Sequence, residues 1–61
     1  MKVGDVVIHK LTNEKVLIIS EYWEYSRTKM EDVRTGFECR LQNYDNKVFY
    51  DSELTQQEKS Q

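Results

Sequence analysis

The chain reads as an all-β fold, a small antiparallel barrel of about five strands with a short 3₁₀ turn near the C-terminus. Three observations lead there. The opening phrase Gly4-Asp5-Val6-Val7-Ile8-His9-Lys10 leads a glycine-aspartate pair into a β-branched run, and after Thr12-Asn13-Glu14 a second run follows, Lys15-Val16-Leu17-Ile18-Ile19. Phe37, Cys39 and Leu41 share one parity while Glu38, Arg40 and Gln42 share the other, the alternation of a half-buried strand. A chain of 61 residues has room for one domain with one core, and at this size folding buries only about 60% of the unfolded surface.

The elements follow in order. Val6, Val7 and Ile8 disfavour a helix, where β-branched side chains lose rotamer freedom, so residues 5–10 are expected to be a strand with Val7 inward. Leu11-Thr12-Asn13-Glu14 reverses the chain, and Asn13 is its best candidate for a positive φ. The second strand is expected over 15–25, with Leu17 and Ile19 inward, Val16 and Ile18 outward, and a bulge near Ser20 or Glu21 that re-aims Tyr22 and Trp23. Residues 26–36 hold few core candidates and read as a long hairpin connection with Lys29, Glu31 and Asp32 at its tip and Met30 and Val33 as its apolar members. The third strand then begins at Phe37. Asn43-Tyr44-Asp45-Asn46 is a turn by composition, Lys47-Val48-Phe49-Tyr50 a short closing strand, and Asp51-Ser52-Glu53-Leu54 a single 3₁₀ turn that drops Leu54 onto the open barrel end. The expected core is Val7, Leu17, Ile19, Phe37, Cys39, Leu41, Phe49 and Leu54. The domain is expected to occupy 1–54. From Thr55 to Gln61 no apolar residue anchors the chain, so 55–61 reads as a disordered tail.

Composition narrows the function classes. A single cysteine, Cys39, rules out an intramolecular disulfide and fits a reducing compartment. Aromatic packing is expected to replace that staple, since rings make up 11% of the residues and each buried one removes a large area from water. The longest apolar stretch, Val16 to Ile19, is far short of the roughly 20 residues needed to span a bilayer, and no signal-peptide run opens the chain. The expectation is a soluble cytoplasmic protein. With a formal net charge of -2 and charges of both signs mixed along the chain, no strong pull on nucleic acid or anionic membrane is expected.

Gly4-Asp5-x-Val7, a turn, an apolar second strand, Phe37-x-Cys39-x-Leu41, and Phe49 followed by Leu54 together resemble the small uncharacterised YodC-like bacterial proteins. The likeness covers most of residues 3 to 54. Thr12-Asn13-Glu14 stands where that family has glycines, Leu41 where it has tryptophan, and the insert before the third strand is longer. The opening phrase is also similar to Tudor-like and KOW-like barrels of transcription and translation factors. What the resemblance implies is an SH3-like barrel and no catalytic residue, because the YodC-like family has no assigned activity. A bacterial or phage origin is part of the same expectation.

Candidate sites are few. His9 and Cys39 are the only histidine and cysteine, and a Cys-His nucleophile needs an orienting third group and an oxyanion donor that the sequence does not signal. Zinc normally takes four ligands at characteristic spacings, which are missing too. Cys39 between Phe37 and Leu41 reads as a small buried hydrophobe, and Asp5 as a residue that orders the turn into the first strand by accepting backbone N–H bonds. The chain is not expected to be an enzyme, nor to carry a cofactor or metal.

Tyr22-Trp23-Glu24-Tyr25 is the sharpest binding candidate. Alternation sends Tyr22 one way and Trp23 with Tyr25 the other, so at least one ring faces outward, and exposed Trp and Tyr bring large contact area at low entropy cost. The competing role for Trp23 is closing one barrel end. Two function classes follow. The first is a protein-interaction module that contacts a protein or peptide through Tyr22, Trp23, Tyr25 and Tyr50, flanked by Arg27 and Lys29. The second is a nucleic-acid-associated barrel in which Tyr22 or Tyr44 stacks bases and Arg27, Lys29, Arg34 and Arg40 contact phosphates. The net negative charge favours the first, since each phosphate contact needs an uncompensated cation.

Overall fold

In the computed structural model, which describes residues 1–57, the chain forms one antiparallel sheet of five strands. They are β1 (Val6–His9), β2 (Glu14–Ser26), β3 (Glu31–Arg40), β4 (Asn46–Tyr50) and β5 (Leu54–Gln56), with a 3₁₀ turn at Asp51–Glu53. The spatial order is β4-β3-β2-β1-β5. This order, with the 3₁₀ turn between the last two strands, is the SH3-like arrangement, and the barrel stays open because its two ends, β4 and β5, do not pair. Among the described residues no helix is long and apolar enough to cross a membrane.

The N-terminal turn is built as the sequence suggests. Lys2 N–H donates to the Asp5 carboxylate at 3.0 Å, Asp5 N–H donates to the Lys2 carbonyl at 3.0 Å, and Gly4 takes a φ of 98°. Gly4 N–H and the Asp5 carbonyl then bond Ile18 of β2, each at 2.9 Å, which fastens the turn to the sheet. Asn13 adopts a φ of 60° and donates to the His9 carbonyl, closing the β1–β2 hairpin.

The core consists of Val7, Val16, Ile18, Phe37, Cys39, Phe49 and Leu54, with Leu41 packed against it. The expected inward pair on β2 is therefore corrected: Leu17 is exposed and Ile19 half-buried, while Val16 and Ile18 are buried. The reason is the hairpin register. Val7 pairs with Val16 across β1 and β2, and directly opposed residues share a face, so an inward Val7 brings Val16 and Ile18 inward with it. Ile19 is the extra residue of a bulge, standing between the pairs Ile18↔Cys39 and Ser20↔Glu38, next to where the bulge is expected.

His9 joins the core as its buried polar member. Its ring stacks on Phe49 with centroids 4.2 Å apart, and its Nδ1 lies 3.0 Å from Thr12 Oγ1. Phe37 is covered from outside by Arg34, whose guanidinium carbon sits 4.4 Å from the ring centroid while its nitrogens grip Asp51 at 2.7 and 3.1 Å. The 3₁₀ turn is thereby tied to β3, and Leu54 beyond it is buried as expected.

Two connections differ from expectation. The long loop over 26–36 is instead strand on both sides of a four-residue turn, with β2 running to Ser26 and β3 starting at Glu31. The tail expected from Thr55 overlaps β5, where Thr55 pairs with Ile8 and Gln56 with Val7; residues 58–61 lie outside the described residues.

Candidate functional site: the β2–β3 arm

β1 pairs with β2 at residues 14 to 17, and β4 pairs with β3 at residues 36 to 40. Beyond those limits β2 and β3 have only each other. The pairs Trp23↔Arg34, Glu24↔Val33, Tyr25↔Asp32 and Ser26↔Glu31 form a two-stranded arm that carries the molecule to a length of 41 Å against 27 and 21 Å in the other directions. A second bulge, with Thr35 as the extra residue between Tyr22↔Gly36 and Trp23↔Arg34, marks where the arm leaves the barrel.

The arm's two faces differ. Glu21 opposes Phe37, so Glu21, Trp23 and Tyr25 continue the core-facing side of the sheet beyond the core itself. Trp23 Nε1–H donates to Glu21 Oε1 at 3.2 Å, and both rings stand in solvent, Trp23 at 53% and Tyr25 at 60% exposure. Trp23 does not close the barrel end. The opposite face carries Tyr22 and Tyr50, both register partners of Gly36, whose rings meet edge-on over it with centroids 6.4 Å apart. Glu24 lies on that face too. It accepts a 3.2 Å bond from Thr35 Oγ1, and its carboxylate raises the Tyr22 phenol above its ordinary value.

The six residues singled out in the sequence are thus not one patch. Trp23 and Tyr25 share one face, Tyr22 and Tyr50 the other, and Arg27 and Lys29 sit in the exposed tip turn, where Ser26 Oγ accepts the Lys29 N–H at 3.2 Å. Sequence reading undervalued Met30, whose φ of 55° leaves its side chain 77% exposed at the tip. Tyr44 (φ 69°) and Leu11 are its counterparts on the other two hairpin turns, both exposed. Tyr44 is already a base-stacking candidate of the nucleic-acid reading; for Met30 and Leu11 the signal is an apolar residue inside a polar turn.

Other chemistry is weakly provided for. Cys39 is fully buried with its Sγ 3.7 Å from the Phe37 carbonyl oxygen, and burial, aided by Glu38, pushes its thiol up to about 11, away from nucleophilic use. No cluster of three potential metal-ligating side chains occurs among the described residues. An apolar-walled recess of about 340 Å³ between Val6, Leu17, Leu41 and Tyr44 is wide open to solvent.

In comparisons with known proteins, no family model, no curated protein and no solved structure matches this chain.

Proposed function

We propose that this chain is a protein-interaction module whose contact surface is the arm face bearing Trp23 and Tyr25. The observation that carries this reading is the exposure of both rings on a strand held in register with β3, where they do no packing for the barrel. Large aromatic side chains held in solvent lose little conformational entropy on binding and are the residue types that dominate protein interfaces. Charge supports the same choice over a nucleic-acid surface. From Glu21 to Arg34 there are four carboxylates and three cations, and one of those cations, Arg34, is already held by Asp51. Phosphate binding needs cations in excess.

Cys39 and His9 act in this reading as core residues, and no step of catalysis is assigned to the chain. The test is photo-crosslinking from single sites in cells, with a benzophenone amino acid replacing Tyr25 in one variant and Tyr50, on the opposite face, in another. Protein adducts at position 25 in excess of position 50 support the reading. Adducts to nucleic acid, or protein adducts only from position 50, overturn it.

A further inference from the structure

Resting on that reading, we infer that the protein bound by the arm is a second copy of this chain, joined through the free edge of β2. Past residue 18 nothing among the described residues pairs with β2 on its β1 side, so Ser20–Ser26 presents a bare edge on which alternate N–H and C=O groups have no partner strand. The edge carries neither proline nor lysine, two of the devices that blunt such a template; its charges are Glu21 and Glu24. The other ends of the sheet are poorer candidates: β5 has three residues, and β4 carries Lys47.

The sequence of this edge is complementary to itself. A two-fold axis perpendicular to an antiparallel edge pairing requires opposed residues to lie on the same face, so their numbers must sum to an even value. With Trp23 at the axis, Ser20 faces Ser26, Glu21 faces Tyr25 and Tyr22 faces Glu24 of the second copy, which pairs the whole free edge. Every carboxylate then faces a phenol able to donate to it, and the two Trp23 rings meet at the centre. Moving the axis to residue 24 sets Glu24 against its own copy, and moving it to residue 21 does the same with Glu21, each a like-charge opposition that destabilises a sheet pair. An axis at Tyr22 avoids that clash but runs the pairing into Ile18, whose backbone is already bonded to Gly4 and Asp5.

Pairing also answers a weakness of the free chain. An arm of two strands with no third is marginally stable in water, and joining two arms makes a four-stranded ribbon. The bare edge of β3 over Glu31–Thr35 is the nearest rival. Its centred register needs Arg34 to face Asp32 of the second copy, but Arg34 is held by Asp51.

The experiment combines sedimentation equilibrium with disulfide trapping. Purified chain is measured from micromolar to millimolar concentration, and single cysteines are introduced as Trp23→Cys, Tyr25→Cys and Val33→Cys, with buried Cys39 left in place. Residues at the two-fold come within disulfide reach of their own copy, whereas Tyr25 lies opposite Glu21 and far from its equivalent. The expected result is a monomer–dimer equilibrium, with Trp23→Cys dimers trapped at least tenfold faster than those of Tyr25→Cys or Val33→Cys. A chain monomeric up to millimolar concentration overturns self-pairing while leaving the arm open to a different protein. Equal trapping at positions 23 and 25, or fastest trapping at 33, overturns the register and with it the inference.

Discussion

Replacing Gly36 with alanine tests how the arm is joined to the barrel. A Cβ at this position would collide with the Phe49 carbonyl oxygen and stand 2.8 Å from Tyr50 Cα and 2.9 Å from the Phe49 carbonyl carbon. All three atoms are backbone, so no side chain can swing aside, and β4 must move bodily away from β3. Overpacking of a well-filled core costs about 1 to 3 kcal/mol, and a clash against the backbone of β4 belongs at the upper end, about 3 kcal/mol. A domain of this length has a total stability of about 3 to 9 kcal/mol. The variant should therefore lose about 12 to 24 °C in Tm, taking roughly 4 to 8 °C per kcal/mol. Urea and thermal melts followed by far-UV circular dichroism give the magnitude, and amide shifts give the location, with the largest changes at Phe37, Phe49 and Tyr50. A midpoint within about 0.5 kcal/mol of the parent, the scatter of ordinary surface changes, would refute the reasoning.

Two further outcomes follow from the packing. Ile18→Ala should cost about 2 to 4 kcal/mol because Ile18 is fully buried, while Leu17→Ala on the opposite face should cost under about 1 kcal/mol; chemical denaturation of the pair reads the parity of β2 directly, and the reverse order of costs would return Leu17 to the core. Cys39 should react with a thiol reagent only as fast as the chain opens, far below the rate in urea. Its thiol sits near 9.0 when unfolded and at about 11 in the fold, so the stability held by the neutral thiol is complete below pH 9 and declines as pH rises towards 11. Urea midpoints at pH 8 and pH 10 should fall further for the parent than for Cys39→Ala, and equal falls would contradict the assignment.

How far the fold was legible depends on where hydrophobic parity was unambiguous. Phe37 and Cys39 alternate with charged neighbours, and both are buried. Asp51-Ser52-Glu53 has the composition of a turn and is one, closed by the 2.8 Å bond from Tyr50 N–H to the Glu53 carboxylate. Val16-Leu17-Ile18-Ile19 is apolar at every position, so parity alone leaves its register undetermined; the turn at Asn13, which sets Val7 against Val16, was the constraint to apply. The arm escaped notice for a different reason. Glu31 to Thr35 is largely polar on both faces because neither face reaches the core, and such a segment has no burial pattern to betray a strand. Its aromatic half, Tyr22 to Tyr25, was visible as alternating rings, but the division of Tyr50 from Trp23 depended on pairing through Gly36, which no local pattern encodes.

The claim that the arm binds protein by aromatic burial is tested most directly by the affinity of the partner trapped at position 25, measured for the parent and Tyr25→Ala across salt concentrations. The account predicts a loss of about 1 to 3 kcal/mol from the single substitution, as for an interfacial hot-spot aromatic, with a shallow and unchanged salt dependence. Binding that collapses between about 50 and 200 mM salt yet ignores the loss of Tyr25 would contradict it and place the contact on the cations of a nucleic-acid surface instead.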